Sequence, residues 1–152
     1  MFLGPQLSFD VATQRCDLAF DGTDLVLDTT PATTVLVAIG SDRRAHPDDA
    51  LPDVVTDDYA PNRLDARRGW AGDALDPNGD LTGSRLWLVK RRKQDEPARR
   101  LGESATAEAL AFFESKHQMP VTVTVRWVMR GMLGIQAQLG AQQVSLTVPV
   151  GG

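Results

Sequence analysis

Residues whose types and spacing could do chemistry gather in the middle of this chain, and each group runs out short of a site. Asp76-Pro77-Asn78-Gly79-Asp80 sets oxygen ligands at alternate positions, as a calcium loop begins. Its glycine is misplaced, and Trp87 occupies the twelfth position, where a bidentate glutamate is needed, so the segment reads as an Asp-Pro-Asn-Gly turn. The histidines, His46 and His117, lie outside any nucleophile motif, and Gly83-Ser84-Arg85 does not match Gly-x-Ser-x-Gly. They read as a solvent-exposed and a helix-capping residue. Asp42, Asp48, Asp49, Asp53, Asp57 and Asp58 could supply paired carboxylates to a hydrolase, with His46 beside them, but nothing in their spacing fixes a carboxylate separation. Cys16 is the single cysteine, so no internal disulfide forms, and it reads as a half-buried strand residue. Lys90-Arg91-Arg92-Lys93, with Arg99 and Arg100, offers cations without the interleaved aromatics of a nucleic-acid surface. No catalytic residue, metal ligand or cofactor contact is assigned.

The bulk properties point the same way. A chain of 152 residues suffices for one domain with a real core. Its net charge of −4, with the acids concentrated in the first half, argues against a general DNA-binding surface, which requires a basic patch. Met1 to Gln6 lacks a charged segment followed by an apolar run, and no apolar stretch approaches the ~20 residues that span a bilayer. The expectation is a soluble protein made inside the cell, with neither membrane nor nucleic acid as partner.

Around these residues the pattern predicts an α+β fold: an N-terminal hairpin, two to three helices, and a C-terminal antiparallel three-stranded sheet. Residues 1–15 read as an arm. Asp17 to Phe20 and Leu25 to Asp28 flank Asp21-Gly22-Thr23-Asp24, a hairpin signal. Thr30 and Pro31 open a short buried helix through Ile39, which stops at Gly40-Ser41. Residues 41–67 read as a long acidic surface loop, a length that signals function or disorder in a compact domain. Leu81 to Lys90 reads as a helix or extended turn with Leu81, Leu86, Leu88 and Val89 inward. After Pro97, Leu101, Ala105, Ala109, Phe112 and Phe113 form one helical stripe, with Gly102 weakening its first turn. Val121 to Met129 alternates as a strand with its odd-numbered residues on one face. Leu133 to Leu139 follows, with Gln136 and Gln138 outward. Val144 to Val150 is last, apolar on one face and hydroxyl-bearing on the other, a candidate for pairing with another protein's sheet edge.

Two of the three tryptophans fall in one short window, Arg68-Gly69-Trp70-Ala71-Gly72-Asp73 answered by Gly83-Ser84-Arg85-Leu86-Trp87-Leu88. Preceded by Asp42-Arg43-Arg44-Ala45 and followed by Glu108-Ala109-Leu110, this ordered series resembles the Mu-like phage baseplate family of gene product forty-six, from about Asp10 to Val148. That family is similar in turn to the sheath-initiator wedge proteins of contractile tails. The resemblance implies a non-enzymatic structural subunit of the virion's tail baseplate, assembled in the host cytoplasm. It also implies several copies around the tail axis in a hexameric arrangement, bound to other wedge proteins, to the sheath protein and to tube or hub proteins, with exposed β-structure from which the sheath polymerises. Many sheath initiators carry Glu-Pro-Arg between the last helix and the strands. Here that position reads Lys116-His117-Gln118-Met119-Pro120, and Glu96-Pro97-Ala98-Arg99 is an echo elsewhere.

The expected partner-binding residues are Trp70, Asp73, Arg85 and Trp87 of the motif window and Val144, Leu146, Val148 and Val150 of the last strand. Tryptophan dominates interface energetics when buried against a partner, and equally serves as a core residue bracketing a loop. Two other readings stand beside this one: a small hydrolase using the aspartate-rich loop, and a module closing Asp42 to Arg67 over a small molecule or calcium.

Overall fold

The computed structural model describes residues 4–10, 15–51 and 66–151. The α+β layout holds: two helices on one face of a three-stranded antiparallel sheet, preceded by short strands.

The sheet consists of Val121–Met129 (β5), Met132–Leu139 (β6) and Gln142–Pro149 (β7), with β6 central. Alternation dictates its two sides. Val125, Leu133, Ile135, Ala137, Leu139 and Val148 are buried, while rows such as Thr124–Gln136–Ser145 line the opposite face. The register shifts between Trp127 and Met129, so the odd-residue face ends there and Met129 is exposed.

Glu96–His117 (α2) lies across the buried face. Asp95 caps it, accepting from the Ala98 N–H at 2.8 Å, and Gln118 closes it in the left-handed conformation. The predicted stripe is correct, with Ala105, Ala109 and Phe113 buried and Leu101 and Phe112 flanking them. Gly102, expected only to weaken the first turn, sits where α2 approaches the sheet, and a Cβ there would lie 2.7 Å from Leu133. Ala32–Gly40 (α1) is the expected short helix and adds Val35, Ala38 and Ile39 to the same core. The segment after residue 80 is a single 3-10 turn, Arg85–Leu88, whose Leu86, Trp87 and Leu88 are buried along with Val89. Leu81, expected inward, is exposed instead, because it lies on the loop leading to that turn.

The N-terminal strands differ from the predicted hairpin. Gly4–Pro5 (β1) pairs with Leu27–Asp28 (β4), and Leu7–Asp10 (β2) pairs with Arg15–Leu18 (β3). The Asp21–Asp24 turn exists, closed by a Phe20–Leu25 bridge, but residues of the arm compete for its two strands and take most of the pairing. Cys16 is exposed on β3. Residues 11–14 and most of the acidic loop, including Asp53, Asp57 and Asp58, lie outside the described residues.

The start of α1 is held by Asp28 and not by Thr30 alone. The Asp28 carboxylate accepts from the Thr30 N–H (2.8 Å), the Thr30 hydroxyl (2.6 Å) and the Thr33 N–H (3.1 Å). Burial pushes its pKa up, but the hydrogen bonds from Thr30 and Thr33 outweigh this and bring it down to about 2 from an ordinary 3.8. A depressed carboxylate stabilises the fold fully above its unfolded pKa and loses that contribution as pH falls through the folded one, here between about 4 and 2. Asp28→Ala is expected to cost about 2 kcal/mol at neutral pH, read by urea unfolding, with the cost vanishing near pH 2. A difference that does not change with pH would count against the capping role.

Candidate functional site

The separated motifs of the sequence meet in one knot beside α2. Asp42 forms a parallel bridge with Ser84, sealed by the Ser84 N–H to Ser41 carbonyl and Arg43 N–H to Ser84 carbonyl hydrogen bonds, each 2.9 Å. The Ser84 hydroxyl donates to the Ile39 carbonyl at 2.6 Å, fastening the bridge to the end of α1. Gly83 makes this approach possible: its φ is +92°, and a Cβ there would stand 2.6 Å from the Ser41 carbonyl oxygen.

Arg85 leaves this bridge and enters a charge cluster. Its Nε donates to Glu108 at 2.8 Å, and one terminal nitrogen reaches both oxygens of Asp49 at 2.9 Å, with 7% of the residue exposed. Glu108 also pairs with Arg43 at 3.0 Å and with His46 Nε2 at 3.1 Å, and the His46 N–H donates to Asp49. Burial opposes the charge on Glu108 and Asp49. The guanidiniums of Arg85 and Arg43 more than offset it at Glu108, as the His46 N–H and Arg85 do at Asp49, so both pKa values lie below the ordinary range. Burial likewise opposes the Arg85 charge, yet its two carboxylate partners raise its pKa. Asp49, read from sequence as a solvated loop residue, is thus part of an ion network, while His46 is exposed as expected and hydrogen-bonds to Glu108 at the rim of that network. Among the described residues no group of three or more metal-ligating side chains is arranged around a common point.

The two tryptophans take different places. Trp87 is 3% exposed, with its Nε1 donating to the Arg43 carbonyl at 2.9 Å and the Arg68 guanidinium 4.6 Å from its ring centroid. It is a core residue. Trp70 is 64% exposed and folds back over Gly72, where a Cβ would meet the indole at 2.3 Å. Asp73 follows in the 3-10 turn Ala71–Leu75, its Oδ1 accepting from the Thr82 N–H at 3.0 Å and pinching the loop between them. The Asp76 carboxylate accepts from the Asn78 and Asp80 amides at 2.7 and 3.3 Å, the turn chemistry expected of that sequence.

This loop walls a trough of about 890 Å³ against α1 and α2. Val37 and Ala38 contribute from one helix and Ala109, Phe112 and Ser115 from the other, with Trp70 and Leu75 on the loop side. Sequence reasoning singled out Trp70 and Asp73 but missed the trough. Its helical lining mixes Val37 and Phe112 with the small residues Ala38, Ala109 and Ser115, which carry no signal of their own.

The last strand also divides. Val148 and Val150 are buried in this chain's own core, and Val144 and Leu146 are half-buried against it. What β7 leaves outward is its backbone edge and the side chains of Gln143, Ser145 and Thr147. Among the described residues β7 pairs only with β6. Arg99 and Arg100 pair with Glu96, so these two cations of the basic cluster are used within the chain.

The family model described as phage protein GP46 matches residues 31–145, a span that holds the bridge, the charge cluster and the trough. The chain belongs to the GP46 phage protein family. It is also 30% identical over 138 residues to the baseplate protein gp46 of Escherichia phage Mu, covering 90% of this chain and 83% of that one. No solved structure matches. The GP46 match begins at Pro31, immediately before α1, and ends at Ser145 within β7, so strands β1 to β4 precede it. No helix among the described residues is long and apolar enough to cross a membrane.

Proposed function

We propose that this GP46 protein is a structural subunit of a phage tail baseplate, a wedge component that contacts neighbouring wedge proteins and starts the contractile sheath from the open edge of β7. The similarity to the Mu baseplate protein supports the baseplate role. The observation that carries the edge reading is the direction of the β7 backbone. Val150 donates to the Gly131 carbonyl at 2.8 Å, and the register places Val148, Leu146 and Val144 opposite Leu133, Ile135 and Ala137. Antiparallel pairs alternate between bonded and non-bonded, so these residues turn their amides toward β6, while Gln143, Ser145 and Thr147 turn theirs outward. Pro149 falls at an outward position, where its missing N–H costs the ladder nothing. A row of unpaired donors and acceptors on a twisted sheet accepts a further strand by main-chain bonding.

Ser145→Pro tests this directly. It removes one outward N–H and leaves the β6–β7 ladder whole, so unfolding stability is expected to change by less than about 1 kcal/mol. Tails assembled with it should carry no sheath, or sheath in less than about a tenth of particles, since proline blocks the added strand at its centre. Deleting residues 147–152 would be a poorer test, because Val148 and Val150 belong to the core. Sheath of normal length and frequency on Ser145→Pro tails, in electron micrographs, would sink the edge reading.

A further inference from the structure

The trough between α1, α2 and the 70–83 loop is a second surface, remote in sequence from β7, and its chemistry specifies an occupant. Its helical floor includes Val37, Ala38, Ala109 and Phe112, and its loop rim carries exposed apolar side chains: Leu75 is 85% exposed and Trp70 64%, a poor arrangement for side chains facing only water. Its charge is unbalanced. Four carboxylates line it, Asp73, Asp76, Asp80 and Glu108, against two cations, Arg43 and Lys116. Both cations are already engaged, Arg43 by Glu108 and Lys116 by Asp80. Among the described residues Asp73 has no ion-pair partner and its Oδ2 no hydrogen-bond partner, Asp76 lies within electrostatic reach of Lys116 without pairing with it, and Arg43 Nε is likewise unpartnered. Low-dielectric walls focus such an excess of negative charge onto whatever enters.

We propose that this trough takes a peptide segment of another baseplate protein, with an apolar side chain between the helices and a lysine or arginine against Asp73 and Asp76. The proposal rests on the baseplate reading above and adds a second interface to it. The apolar side chain covers Leu75 and Trp70, and the cation completes the charge balance. This is the helix-and-loop counterpart of a pocket anchor flanked by a rim charge.

Site-specific photo-crosslinking in assembled baseplates tests it, with benzoylphenylalanine at Leu75 in one preparation and at Ser145 in another. Leu75 is exposed enough to be replaced without disturbing the fold. The expected result at Leu75 is a crosslink to a different baseplate protein, at a segment holding an apolar residue within about four positions of a lysine or arginine, one helical turn. The Asp73→Asn, Asp76→Asn double variant keeps the acceptor oxygens and should lower that crosslink at least fivefold. A crosslink to a second copy of this chain or to an acidic segment overturns the proposal, as does an unchanged yield in the double variant. Silence at Leu75 with crosslinks at Ser145 overturns the trough alone. Silence at both positions overturns both surfaces, and absence of this chain from purified tails removes the baseplate reading.

Discussion

Arg85→Met is expected to lower unfolding stability by about 3 kcal/mol, a sizeable share of the roughly 5–15 kcal/mol by which a domain is stable. Arg85 stands between Asp49 and Glu108, whose side chains are 16% and 25% exposed, and methionine preserves its packing while removing its charge. Glu108 keeps Arg43, but Asp49 loses its only arginine partner among the described residues and is left with the His46 contacts. The cost comes from carboxylates left in a partly dry site with too little positive charge, more than from lost attraction.

Such a cost depends on pH in a predictable direction. Asp49 and Glu108 have pKa values held below their ordinary 3.8 and 4.5, so their contribution is complete above those values and fades as pH falls through the lower folded ones. The gap between the parent protein and Arg85→Met should therefore be full at about pH 7 and shrink below about pH 4, where protonation removes the uncompensated charge. Urea titrations at both pH values measure it. A loss under about 1 kcal/mol at neutral pH would mean that water reaches the cluster and screens it.

Arg85 also marks the boundary of what the sequence could reveal. Helix α2 and the β5–β7 sheet were legible because burial imposes a period on apolar residues: Ala105, Ala109 and Phe113 at helical spacing, Val121, Val123 and Val125 at strand spacing. The charge cluster has no such period. Asp49, Arg85 and Glu108 are far apart in the chain, and arginine in a polar setting reads as surface until its partners are placed. Resemblance to a family pointed to the motif window, but only the fold showed that its parts touch. The pairing of β1 with β4 was illegible for another reason, since strands of two residues carry no alternation. Trp87, which by sequence serves equally as a core residue or an interface residue, is buried with its indole N–H donating to the Arg43 carbonyl, while Trp70, of the same type and in the same window, stands exposed.

Gly83→Ala should be as damaging as Arg85→Met, by about 3 kcal/mol or more, and for a reason rooted in backbone alone. Two penalties meet at this residue. The φ of +92° disfavours any Cβ, and the added carbon would press within 2.6 Å of the Ser41 carbonyl oxygen and 2.9 Å of the Arg43 nitrogen. Neither can retreat, because the Ser41 carbonyl accepts from Ser84 and the Arg43 N–H donates to Ser84. Gly140→Ala separates the two effects: its φ is +56° with nothing within 4 Å of the new carbon, so it pays for conformation only, about 1 kcal/mol. Equal losses for the two alanine variants in urea unfolding would show that the bridge yields and that contact is unimportant. If the bridge instead opens in Gly83→Ala, Ser84 moves and takes Arg85 with it. The Arg85→Met and Gly83→Ala costs would then overlap, and the double variant should fall short of their sum by at least about 1 kcal/mol. Strict additivity would mean that the Asp42–Ser84 bridge and the charge cluster are independent, and that the motif window is two devices placed side by side.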